Sequence, residues 1–173
     1  MTLQDKLFIE NSKSYWIQLS KEVLNENQME ELVGLFLGKD KRMAQRAAAI
    51  VMTLADIESE LFAPYMHILI KQLRHNPTET QKRNIVRIVD FVEIPTTLEV
   101  EIMNFCFQYL ENPKESIAVR AFSMRVLGKL HSKYPEIKEE LKTLVEMNLD
   151  HNPSPGIINC GNKILKSLKN KIL

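Results

Sequence analysis

Arg46, Arg83 and Arg120 recur at intervals of 37 residues, and a guanidinium is a planar fork of donors suited to carboxylate or phosphate. Arg87 stands one helical turn beyond Arg83, and Arg125 with Lys129 adds basic character to the helix of Arg120. These six residues, Arg46, Arg83, Arg87, Arg120, Arg125 and Lys129, are the candidate binding set. If the three recurring arginines hold equivalent places in stacked helices, they lie about 8–10 Å apart. Two unit charges at about 10 Å repel by about 1.7 kcal/mol at an effective dielectric near 20. Each therefore needs a partner. Asp40 can serve Arg46, but the same offset before the other two holds Pro77 and Lys114. The column is either a ladder that ties loops and repeats together or a stripe that receives a ligand.

Other chemistry is sparse. His67, His75, His131 and His151 are scattered, with no His-x-x-x-His or Cys-x-x-Cys spacing, so neither metal nor cofactor is expected. Cys106 and Cys160 read as small helix-buried hydrophobes. Gly34 and Gly38 flank a helix end and do not form a phosphate-binding loop. Asp90, the one aspartate among the repeat-helix arginines, reads as an Arg87 partner at i+3. The net charge of +1 recruits neither nucleic acid nor anionic lipid by bulk field. Its distribution is uneven: residues 1–60 sum to −3 and residues 114–173 to +5. No apolar leader or membrane-length run occurs, which points to a cytoplasmic location with no membrane partner.

The elements that must position these residues read as helices throughout. Five glycines in 173 residues, and no alternating strand pattern, leave little room for a sheet. Leu3, Leu7, Trp16, Leu19 and Val23 mark an N-terminal helix over Leu3 to Leu24, which Asn11 and Ser12 can break; Trp16 reads as packing on the flank of the first repeat. Asn27 with Glu30 and Thr96 with Glu99 have N-capping spacing, as do Asp40, Thr78 with Gln81, and Ser154 before Pro155. Between those caps run apolar stripes, among them Ile85, Ile88, Val89 and Val92, then Val119, Phe122, Val126 and Leu130, then Ile157, Ile158, Ile164, Leu165 and Leu168. The recurrence predicts a cap over residues 1–26 and four helix pairs, about 27–58, 59–94, 95–133 and 134–173, in one domain. The fold class is all-α: a short right-handed α-solenoid of about nine helices.

The period lies between tetratricopeptide and HEAT lengths, and tetratricopeptide spacing of Trp, Gly and Tyr is missing. The Asp40 to Arg46 spacing and the run VRAFSMRVLGKL resemble the second helix of a HEAT repeat. From Glu99 to Lys169, the run MNFCFQYLENPKESIAVRAFSMRVLGKLHSKYPEIKEELKTLVE followed by PSPG resembles small HEAT-like proteins of Bacteroidetes-type bacteria. Some of those carry the label adenylosuccinate lyase, yet the Ser-Ser and Met-Pro pairs of that enzyme's mobile loop do not occur here. HEAT-like alkylpurine DNA glycosylases pair a cationic groove with aromatics and a carboxylate; here the one tryptophan, Trp16, lies outside the repeats. The expected function is a non-enzymatic scaffold that binds a protein or peptide along its second helices. The alternative is a nucleic-acid binder that uses a basic concave stripe.

Overall fold

The computed structural model describes residues 1–151 and 153–169, and every regular element among them is helical. The chain forms two compact units, Met1–Glu93 and a second from Ile94 onward. In the first, the helices are α1 (Leu3–Lys6), α2 (Lys13–Asn25), α3 (Met29–Leu37), α4 (Lys41–Ile57), α5 (Met66–Gln72) and α6 (Glu79–Phe91), with a 3-10 segment at Ser59–Tyr65. In the second they are α7 (Thr96–Glu111), α8 (Ile117–Leu130), α9 (Lys138–His151) and α10 (Pro155–Lys169), with a 3-10 turn at Pro135–Ile137. Among the described residues ten α-helices replace the expected nine because the N-terminal stretch divides, with Ser12 capping α2 through the Tyr15 amide.

Each unit is organised around a second helix. In the first, α4 packs on α2, α3 and α6; in the second, α8 packs on α7, α9 and α10. The alanines Ala44, Ala47, Ala48 and Ala55 of α4 are all buried, and their small side chains let neighbours approach closely. Gly128 does the same for α8. A Cβ there would come within 2.5 Å of the Ile164 methyl on α10, so the two helices meet at that point.

The four second helices share one frame. Their N-caps are Asp40, Thr78, Ser116 and Ser154, each 38 residues after the last. Asp40 accepts from the Arg42 and Met43 amides, Thr78 from Gln81, Ser116 from Val119 and Ser154 from Ile157. Each cap satisfies amides that the helix itself leaves open. Fourteen residues beyond each cap stand Leu54, Val92, Leu130 and Leu168, all buried, so the cap fixes the phase of the core face.

Several expected caps are placed differently. Asn27 does not cap α3. It takes a left-handed conformation (φ 56°) after α2, with its amide on Leu24 O at 3.3 Å and the Gln28 amide on Val23 O at 2.9 Å. This 6→1, 5→2 pattern is a Schellman stop, for which asparagine is the next choice after glycine. Thr96 makes no capping bond either, because α7 starts after Pro95 without side-chain capping. Glu99 is held instead by Lys133 and Tyr134. Four stripe residues also depart from expectation: Phe122, Ile164 and Leu165 are half-buried, and Ile158 is exposed on α10.

Candidate protein-binding surface

The recurring arginines do not hold the same place in their helices. Counted from the caps, Arg46 is sixth in its helix, Arg83 fifth and Arg120 fourth. A helix turns about 100° per residue, so a period of 37 set against a frame of 38 sends the three side chains in three directions. Their surroundings follow. Arg46 is half-buried, Arg83 is exposed and Arg120 is buried.

Arg120 sits inside the second unit. Its Nε donates to Glu115 O at 3.1 Å and Nη1 to Asn148 Oδ1 at 2.7 Å. Asn148 in turn donates through Nδ2 to Leu110 O, the end of α7, at 3.0 Å and to Leu144 O at 2.8 Å. This chain joins three helices and supplies a donor to a helix-end carbonyl that would otherwise lack one. A side chain 4% exposed and bonded in this way holds the unit together and is buried away from a ligand. In the first unit Gln81 plays the corresponding part, with Nε2 donating to Phe36 O at 3.0 Å and Gly38 O at 3.3 Å while Oε1 completes the capping box with Thr78.

Arg46 turns to Phe8 and not to Asp40, whose carboxylate is engaged at its cap. The guanidinium carbons of Arg42 and Arg46 lie 5.1 and 5.8 Å from the Phe8 ring centre. Each such contact contributes roughly 0.5–1 kcal/mol at an exposed site. On sequence Phe8 falls inside one N-terminal helix and has no role; it stands instead in the turn after α1, between Leu7 and Ile9. Arg83 reaches its neighbour, Asn84 Oδ1, at 3.4 Å.

The basic residues that keep one phase are others. Arg87, Arg125 and Lys163 each stand nine residues after their cap. Arg87 meets Asp56 of α4 at 2.5 Å, not the expected i+3 geometry with Asp90, and lies 5.6 Å from the Phe91 ring centre. Beside this pair, Ala55, Asp56, Ile57, Ser59 and Phe91 line an open recess of about 280 Å³. Ile57 is 61% exposed at its edge. In the second unit, Phe122, Arg125 and Lys129 form a stripe along α8, the last two exposed. On α10, Lys163 and Lys166 are exposed.

Elsewhere the polar chemistry is structural. Glu99, on the buried side of α7, accepts from Lys133 Nζ at 2.6 Å and Tyr134 Oη at 2.7 Å. The Lys133 ammonium, then the Tyr134 hydroxyl, lower the Glu99 pKa below the usual carboxylate range. The same carboxylate raises that of Tyr134. Cys106 is buried, and half-buried Cys160 points its Sγ at Ala121 O, 3.2 Å away. Among the described residues no group of His, Cys, Asp and Glu side chains could hold a metal, and no helix is long and apolar enough to cross a membrane.

No curated protein and no solved structure matches the chain. A family model described as HEAT repeat domain matches residues 3–168. All-α helix pairs, a common 38-residue frame and a match over nearly the whole length agree: the chain belongs to the HEAT repeat domain family and is a repeat scaffold.

Proposed function

We propose that this scaffold is non-catalytic and binds a protein or peptide partner on the outer stripes of its second helices. The observation that carries the reading is the pairing of an aromatic ring with a cation on a second helix, Phe91 with Arg87, beside the recess. Aromatic and arginine side chains are the types that dominate binding energy at protein interfaces. A recess open to solvent suits an inserted side chain better than an enclosed small substrate.

A photo-crosslinking residue placed at Ile57 or Lys129, on second-helix surfaces, tests the reading against the same residue at Val100 or Met147 on first helices. Reproducible protein adducts from the first pair and not from the second are expected in lysate of the source cell. Adducts spread equally over all four sites, or none from Ile57 and Lys129, overturn it. Release of fumarate from adenylosuccinate by the purified chain would overturn the non-catalytic part.

A further inference from the structure

The start of α4 carries four cations, Lys39, Lys41, Arg42 and Arg46, against one carboxylate, Asp40. That carboxylate is turned to the Arg42 and Met43 amides as the helix cap. Lys41 and Arg42 stand in the first turn, which holds no acidic residue. A helix dipole is positive at that end and disfavours cations there. Helix stability alone therefore argues against this arrangement.

Arg42 and Arg46, one turn apart, converge on the same Phe8 ring at 5.1 and 5.8 Å. The ring is held in place from both sides of the chain. Leu7 before it is buried, and Tyr15 Oη donates to Lys6 O at 2.9 Å. A ring attracts a guanidinium but gives its N–H groups no oxygen to bond. Arg46 Nη1 is buried and has no hydrogen-bond acceptor, and among the described residues no carboxylate pairs with either guanidinium. The acids of the amino-terminal segment are engaged elsewhere: Asp5 accepts from the Thr2 amide and hydroxyl, and Glu10 from the Ser12 hydroxyl. A buried donor left without an acceptor is costly, and an oxyanion supplied from outside relieves it.

We infer that the Arg42–Arg46 pair beside Phe8 binds a phosphomonoester, carried as a phosphorylated side chain on a peptide partner. The inference rests on the protein-binding reading above and names the group the partner presents. A phosphomonoester brings close to two negative charges and three acceptor oxygens at pH 7. Two guanidinium forks match that better than they match one carboxylate, with its single charge and two oxygens. Lys39 and Lys41, both exposed, add to the attraction. Ile9, next to Phe8 and 55% exposed, offers an apolar contact to the rest of the peptide. A duplex presents a long row of singly charged phosphodiesters, for which one arginine pair is no track.

The test is fluorescence anisotropy with the full chain and four labelled probes: a neutral peptide carrying one phosphoserine, the same peptide with Ser or with Glu in that place, and duplex DNA. The phosphopeptide should bind, the Ser peptide should not, and the Glu peptide and DNA should bind more weakly than the phosphopeptide. Inorganic phosphate should displace the phosphopeptide, and chloride at equal ionic strength should not. Arg42→Gln with Arg46→Gln should weaken the phosphopeptide by about tenfold or more. Lys21→Gln with Lys71→Gln, exposed sites in the same unit, should leave it within about twofold. Circular dichroism checks that each variant is folded. Arg42→Gln alone, at an exposed position, should still weaken binding by about threefold or more and keeps the test alive if the double variant does not fold. Equal binding of the Ser or Glu peptide, tighter binding of DNA, no binding of the phosphopeptide, or equal losses in the control pair overturn the inference. Should the phosphopeptide fail to bind while adducts still form at Ile57, the scaffold reading stands and only the partner chemistry falls.

Discussion

Breaking the Arg120–Asn148 link from either side should cost unequal amounts. Asn148→Leu leaves a buried guanidinium without its 2.7 Å acceptor and strips the donor from Leu110 O. Removing one partner of a buried charge costs about 3–5 kcal/mol, because the remaining charge keeps its desolvation penalty. Arg120→Met removes the charge itself and leaves two neutral acceptors, Asn148 Oδ1 and Glu115 O, short of a donor. That loss is about 1–3 kcal/mol. With both changes the buried cation and the polar group it needed go together. The double variant should then be more stable than the sum of the singles by about 1–3 kcal/mol. Urea unfolding at pH 7, followed by far-UV circular dichroism, measures all four corners of the cycle. Trp16 fluorescence follows the first unit, in which neither change lies. If the two losses add to within about 0.5 kcal/mol, or Arg120→Met costs nothing, the guanidinium is not the centre of a buried network and the argument fails.

Glycine substitutions should separate close contact from open space. Gly161→Ala sets a Cβ 3.1–3.2 Å from Leu149 and Val145 and should destabilise by about 1–3 kcal/mol in thermal unfolding, partly offset by helix propensity. Gly34→Ala meets nothing within 4 Å inside α3 and should stabilise by about 0.5–1 kcal/mol. Replacing any of Thr78, Ser116 or Ser154 by Ala should cost about 0.5–2 kcal/mol, read as a lower urea midpoint. The lowered pKa of Glu99 means that its ion pair favours the folded chain above the ordinary carboxylate range, and that this contribution is lost as pH falls through the folded value. The raised pKa of Tyr134 sets the opposite limit: its part is present below the ordinary phenol range and lost as pH rises through its folded value. Glu99→Gln should therefore lower the urea midpoint at pH 7, and the deficit should shrink progressively as the pH is lowered; a loss that does not change with pH would contradict the assignment.

Much of the fold was legible because it is local. Helix periodicity is written in stripes such as Ile85, Ile88, Val89 and Val92, and Asp40, Thr78 and Ser154 announce their caps by residue type. The candidate site was harder to read. A one-residue difference between 37 and 38 is invisible to pattern matching, yet it turns the side chain by about 100° at each repeat, and after two repeats Arg120 lies in the core. Charge alone misled because an arginine looks the same in sequence whether Asn148 or a ligand receives it. The cap frame, used as the ruler, would have selected Arg87, Arg125 and Lys163. Phe8 and the Glu99 pair with Lys133 depend on contacts between helices that no local pattern records.

The polar links between helices also bear on how the chain folds. Gln81 reaches back to Phe36, Arg87 to Asp56, Lys133 to Glu99, Asn148 to Leu110 and Cys160 to Ala121, separations between 31 and 45 residues. Each bond closes a loop of about one repeat, and closure entropy grows only with the logarithm of loop length. Folding should therefore be fast and able to begin in either unit, as low contact order favours. During synthesis the first of these bonds needs only residues 36–81 to have emerged, so the amino-terminal helices can dock while the rest of the chain is still being made.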